Sequence, residues 1–179
     1  MPETDLRLLG LCGSFRAGSY NRMLMTEAAA AFGGRFAEGS LRLPLFDEDL
    51  EARGVPAEVQ ALGAAVAGAD AVLIACPEYN KAPPGAVKNA LDWLSRLKPD
   101  PLRGKPVAIV TAADGRAGGE RSQTMLRAML VPHRVEPLAW PEVLVAKAET
   151  EFDAGGRLAS PRYRAQVAEL MARLRAACS

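Results

Sequence analysis

The chain has 179 residues, 49% of them hydrophobic and 24% charged, with a formal net charge of +1. That length and balance fit one globular domain spanning 1–179, built on a single sizeable core, and exclude a disordered or fibrous chain. Scattered Lys and Arg give no basic field to gather nucleic acid, and the acidic opening MPETDLRLLG, with no extended apolar core behind it, is not a secretory signal.

Residues 6–12 read as a first strand, and 19–32 as a helix with Met23, Leu24, Ala28 and Ala31 on one face. Between them runs LCGSFRAGSYN, which sets Ser14, Arg16, Ser19, Tyr20 and Asn21 at a strand-to-helix bend. The first N–H groups of a helix have no internal partners and carry the positive end of its dipole, so this bend is a site for a phosphate dianion. Arg16 would add charge-assisted bonds to phosphate oxygens. Glycines at 10, 13 and 18 would let the backbone bend closely around the ligand. The plain alternative is helix capping by Ser19 or Asn21 alone.

Residues 35–43 form a weaker, more polar strand suited to a sheet edge. Val59, Leu62 and Val66 follow helical spacing, and 69–76 is an almost continuous apolar strand that must be buried on both sides. The stretch 61–76 is too short and too rich in Ala and Gly, with Asp70 inside it, for the roughly 20 residues of a membrane span. After the buried strand comes CPEYN, where Pro77, Glu78, Tyr79 and Asn80 occupy a strand end. A flat ring lying against that backbone would explain an aromatic and two polar side chains there. Alternatively, Glu78 satisfies backbone amides and Tyr79 is a half-buried packing residue.

Pro83 and Pro84 open a third helix with Val87, Leu91 and Leu94 inward; Asp92 and Trp93 within it read as structural or interfacial. Residues 106–112 form a fourth strand. Asp114, Gly115, Gly118 and Gly119 make a loop of exposed backbone amides, which suits a second edge of the same ring. A helix with Met125, Leu126, Met129 and Leu130 follows, then a fifth strand within 135–145. The last helix starts near Ser160-Pro161 with Tyr163, Val167, Leu170, Met171 and Leu174 as its core stripe. His133, the one histidine, falls in a loop-like stretch and is expected to be solvated. With one histidine and no GxSxG, a Ser-His-Asp hydrolase is poorly supported.

Strands alternating with helices argue an α/β fold, a parallel sheet covered on both faces with right-handed crossovers. Ligands in such sheets bind beyond the carboxyl ends of the strands, where three polar or Gly-rich loops gather here. The first loop lacks Gly-Lys-Ser/Thr and the G-x-G-x-x-G spacing, so a mononucleotide fits better than a triphosphate or dinucleotide. Phosphate in the first loop and a planar heterocycle between the other two describe FMN. Three cysteines without CxxC spacing indicate neither a disulfide framework nor a metal site, and a reducing cytoplasm is expected. Cys12 and Cys76 read as small apolar residues ending strands.

The motifs GSxRxxSxN at 13–21, PEYN at 77–80, P-G-x-x-K-N-x-x-D-W from Pro84 to Trp93 and GGxRxQ from Gly118 to Gln123 together resemble the NADPH-dependent FMN reductase family. The resemblance covers nearly the whole chain. It implies a flavodoxin-like doubly wound five-stranded sheet, order 2-1-3-4-5. By resemblance, Ser14, Arg16, Ser19 and Asn21 hold the FMN phosphate, Pro77 to Asn80 contact the ribityl chain and isoalloxazine, and Gly115, Gly118 and Gly119 face the pyrimidine edge. No side chain is expected to carry the chemistry, although Arg121 matches a family position that reaches toward the flavin near a subunit contact.

The resemblance implies NADPH or NADH as hydride donor, quinones or similar small acceptors, ping-pong turnover and a homodimer or homotetramer. Thr124 and Lys81 depart from relatives at positions that bear on substrate preference. A flavodoxin-type electron carrier or a flavin-binding sensor is the alternative, though a pI near 7.7 lacks the acidity with which carriers dock.

Overall fold

In the computed structural model, residues 6–135 and 137–178 are described. Residues 1–5 of the acidic opening, Glu136 inside the stretch that predicts the fifth strand, and Ser179 lie outside the described residues. The strands are β1 (Arg7–Cys12), β2 (Arg35–Gly39), β3 (Ala71–Ala75), β4 (Val107–Ala113) and β5 (Val143–Ala146). All neighbours pair in parallel, in the order β2-β1-β3-β4-β5, as expected for a flavodoxin-like sheet.

The apolar patterns explain these positions. β3 is buried at every residue, as a central parallel strand covered on both faces must be. β2 is exposed along its length and takes the edge. It ends at Gly39 and not at Leu43, because the chain leaves the sheet there and Leu41 turns into the core.

Alternate residues feed two cores. Leu8, Cys12, Leu73, Ala75 and Val110 pack under α1 (Tyr20–Phe32) and, across the same face, the C-terminal helix Pro161–Ala176. Leu9, Leu11, Val72, Ile74 and Ile109 pack under the helices of the opposite face, Ala57–Gly68, Gly85–Arg96 and Glu120–Leu130. In chain order these helices and two short ones are α2 (Glu48–Ala52), α3 (Ala57–Gly68), α4 (Gly85–Arg96), α5 (Glu120–Leu130), α6 (Ala148–Glu151) and α7 (Pro161–Ala176). Ser19 caps α1 and Ser160 caps α7, each accepting from the backbone N–H three residues on. α2, absent from the sequence expectations, exists because Asp47 accepts from the N–H groups of Asp49 and Leu50.

Some expectations need correction. The buried face of α1 is Asn21, Leu24, Met25, Ala28 and Phe32, so Met23 and Ala31 sit beside it. The fifth strand runs one residue past the expected stretch. His133 is not solvated: it is 3% exposed, with Nδ1 2.7 Å from Asp100 Oδ2. A 3₁₀ turn (Val131–His133) extends α5 and folds the imidazole inward, where the carboxylate from the α4–β4 connection meets it. Trp93 is structural. It is fully buried and, with Asn89, grips Pro44 and Phe46: Trp93 Nε1 and Asn89 Nδ2 donate to the Pro44 carbonyl, while Asn89 Oδ1 accepts from Phe46 N–H. Within the family-like run from Pro84 to Trp93, Asn89 and Trp93 therefore brace the segment at Pro44 and Phe46 against α4.

Candidate functional site

β1, β3 and β4 all release their loops at the same end of the sheet, flanking the point between β1 and β3 where the strand order reverses. The loop after β1 stays in the ladder for one more residue, Gly13 N–H donating to the Ala75 carbonyl at 2.9 Å. It then turns at Ser14. The Ser14 hydroxyl is 3% exposed and accepts from Tyr79 Oη at 3.1 Å and from Arg16 N–H at 3.4 Å. With both lone pairs taken, its own proton remains for an acceptor. The first backbone bond of α1 runs from Met23 N–H to the Ser19 carbonyl, and Ser19 Oγ takes the Arg22 N–H. The N–H groups of Tyr20 and Asn21 thus stand ahead of the helical ladder at its positive end.

Asn21 lines the cavity and also ties two elements together. Its side-chain amide donates to the Ala112 carbonyl at 2.7 Å and accepts from Ala112 N–H at 3.0 Å, a two-way clasp between α1 and β4 that uses one of its two amide protons. Arg22, which the sequence reading passed over, holds the loop. Its guanidinium donates to the carbonyls of Ser14 and Arg16 and to Glu38 Oε1. The available signal was its place in the first turn of the helix that follows the loop. Glycines 10 and 13 also serve another purpose than bending around a ligand. A Cβ on Gly10 would meet Met25 Sδ at 2.6 Å, and one on Gly13 would meet Val87 at 2.8 Å, so both permit close packing of the protein against itself.

The loop after β3 is fixed from both sides. Asn80 and Lys81 have φ of 50° and 68°, and Tyr79 and Ala82 exchange backbone bonds of 2.9 and 3.1 Å around them. That is the two-residue turn that needs both central residues left-handed. Glu78 Oε2 accepts from Ser122 N–H in the first turn of α5, so it does satisfy a backbone amide. Ser122, an unassigned position of the GGxRxQ motif, is the residue that sequence reasoning missed. Its hydroxyl donates to the Pro77 carbonyl at 3.0 Å and lies 3.2 Å from Cys76 Sγ.

In the loop after β4, Gly118 and Gly119 are buried and left-handed, with φ of 60° and 92°. Their missing Cβ atoms would strike the Leu144 backbone at 2.6 Å and Thr111 at 3.0 Å. They face β5 and β4 and not an open edge, because Thr111 Oγ1 draws the Gly118 carbonyl to 2.7 Å and the loop must lie flat on the sheet. Gln123, which ends the motif, is buried and donates to the Val143 carbonyl.

A cavity of about 340 Å³ joins the three loops. Its lining includes Ser14, Arg16, Ser19, Tyr20 and Asn21 from the first loop and the start of α1, Pro77, Glu78 and Tyr79 from the second loop, and Ala112, Ala113 and Asp114 from the end of β4 and the loop after it. Asn80, Gly115, Gly118, Gly119 and the exposed Arg121 are not part of that lining. The end formed by the first loop presents hydroxyl, amide and guanidinium donors and no carboxylate. A phosphate fits that donor set. Burial disfavours the thiolate at both nearby cysteines: it pushes Cys76 up to about 12 and also raises Cys12, whose sulfur donates to the Ser14 carbonyl.

The sequence model for NADPH-dependent FMN reductase matches residues 6–150. The chain belongs to the NADPH-dependent FMN reductase family. This FMN reductase family member is 42% identical over 164 residues to an NAD(P)H-dependent FMN reductase of Pseudomonas aeruginosa, covering 89% of this chain and 88% of that one. It is 44% identical over 131 residues to a quinone reductase of Escherichia coli K12, covering 70% of each. Among solved structures, the flavoenzyme NAD(P)H:(acceptor) oxidoreductase of Paracoccus denitrificans superposes with a TM-score of 0.87 at 27% identity, over 97% of both chains.

Proposed function

We infer that this chain is an FMN-dependent oxidoreductase that takes electrons from NADPH or NADH and passes them to quinones or similar small acceptors. One observation carries the reading: a cavity at the strand-order reversal lined by the hydroxyls of Ser14 and Ser19, the Arg16 guanidinium and the first residues of α1. The names of the Pseudomonas and Escherichia relatives support the two half-reactions. Bound FMN would supply the hydride-accepting and electron-donating chemistry.

The protein's part is binding, orientation and access. Ser14, Ser19, Arg16 and the N–H groups of Tyr20 and Asn21 hold the phosphate. Pro77, Glu78 and Tyr79 line the path toward the ring, and Asp114 lies at its far edge. The Tyr79–Ser14 hydrogen bond locks the second loop to the first, so the phosphate and ring subsites keep a fixed separation. Asn80, Gly118 and Gly119 act by shaping their loops, and Arg121 stands on the first turn of α5 as an electrostatic aid. Donor and acceptor share one open face, which gives ping-pong kinetics. The protein works as a homodimer or homotetramer, with exposed Met125 and half-buried Met129 on the outer side of α5 as contact residues. No helix among the described residues is long and apolar enough to cross a membrane, and the free cysteines suit the cytoplasm.

The test is anaerobic turnover of the FMN-loaded protein, with NADPH and a benzoquinone both varied. Parallel double-reciprocal lines are expected. Bleaching of the flavin by NADPH without quinone turnover would leave an electron carrier in place of a reductase.

A further inference from the structure

Arg16 lies on an exposed bend, and a solvent-facing guanidinium binds phosphate firmly only if something restrains it. Its Cζ sits 5.0 Å from the centre of the Tyr20 ring. Tyr20 in turn stacks on Phe152, with ring centres 5.7 Å apart and planes at 15°. Phe152 begins the turn after α6, just past residues 6–150 that the family model matches.

That turn is a braced unit. Asp153 Oδ1 accepts from the N–H groups of Gly155 and Arg157, Asp153 N–H donates to the Arg157 carbonyl, and Leu158 is buried in the core. It is also fastened along one face of α1. Tyr20 and Glu27, seven residues apart along the helix, meet Phe152 and Arg157, and between them Met23 lies where a Cβ on Gly156 would meet it at 3.3 Å. The backbone of Arg16 is held separately, by Ser14 Oγ and the Arg22 guanidinium. The aromatic column reaches Arg16 through its side chain alone.

We propose that Phe152 is a positioning residue for the flavin phosphate: through the Tyr20 ring it holds Arg16 at the phosphate end, and so favours phosphorylated flavin over riboflavin. This deepens the FMN reading and rests on it. Stacking fixes the Tyr20 ring, a fixed ring presents a steady negative face to the cation, and the guanidinium then loses less freedom on binding.

Fluorescence titration of the flavin-stripped full chain with FMN and with riboflavin tests it. Phe152→Ala should raise the FMN dissociation constant roughly tenfold and move that of riboflavin by less than about twofold, the size and selectivity of one lost charge-assisted contact. Phe152→Tyr should restore FMN affinity, and in an Arg16→Gln background Phe152→Ala should change it no further. Equal weakening of both flavins, or undiminished weakening of FMN in the Arg16→Gln background, overturns the proposal. Wild-type protein that prefers FMN, beside a Phe152→Ala variant with the same preference, overturns the positioning role alone. Wild-type protein that binds neither flavin overturns the FMN reading and this inference with it.

Discussion

Cys76 follows the central strand with its sulfur 3.2 Å from the Ser122 hydroxyl, and burial pushes its thiol up to about 12. In the unfolded chain a cysteine loses its proton near pH ~8.5. The folded state therefore holds a proton that the unfolded state releases, and stability is intact below that value and falls as pH rises toward 12. Cys12, raised by the same cause, adds to the fall. Urea unfolding at pH 7.5 and pH 10 should show an alkaline loss that shrinks by about 1–2 kcal/mol in Cys76→Ala. An unchanged alkaline loss in the variant would mean the thiol is not protected by burial. At this scale the sequence is a good guide to residue types and a poor one to partners. The gathering of Ser14, Arg16 and Ser19 on one cavity wall is legible because a local bend brings them together. The clasp of Asn21 on Ala112 spans 91 positions, the Glu78–Ser122 bond 44 and the His133–Asp100 contact 33, and no local pattern encodes such pairs.

Elements were legible wherever burial writes a continuous apolar run or a capping residue, as in β3, β4, α1 and α7. Their loops were legible as positions but not as contacts, and the loop after β4 shows the difference. Its glycines look alike in sequence. Gly118 is left-handed with the Leu144 backbone against its missing Cβ, whereas a Cβ on Gly115 would meet nothing within 4 Å. Gly118→Ala should therefore lower stability by roughly 2–3 kcal/mol, from left-handed strain plus displacement off β5. Gly115→Ala should stay within about 0.5 kcal/mol of wild type. Chemical denaturation of the pair checks this; equal, small effects would show that the loop does not lie on β5 as described. Because the loop also lines the cavity through Asp114, Gly118→Ala should weaken FMN and riboflavin alike. That response is opposite in kind to the phosphate-selective effect expected at Phe152.

The three polar or Gly-rich loops that line the cavity leave the sheet at one end. Strands β1, β3 and β4 are adjacent in space although α1 to α4 and β2 intervene along the chain, so their loops meet only when the sheet has assembled. A ligand that touches all three loops then binds the folded state and not the unfolded one, and its binding free energy adds to stability. FMN at about a hundred times its dissociation constant should add roughly 2.7 kcal/mol, which for a chain of this length raises Tm by about 5–10 °C. Riboflavin at the same concentration should give a clearly smaller shift, because it leaves the donors at Ser14, Arg16, Ser19 and the start of α1 without a dianion. Scanning calorimetry of the flavin-stripped protein with each compound separates the contributions. Equal shifts would remove the phosphate from the binding reaction, and no shift with either would move the flavin away from this cavity altogether. The difference between the two shifts measures the phosphate end alone, since every ring contact is common to both ligands.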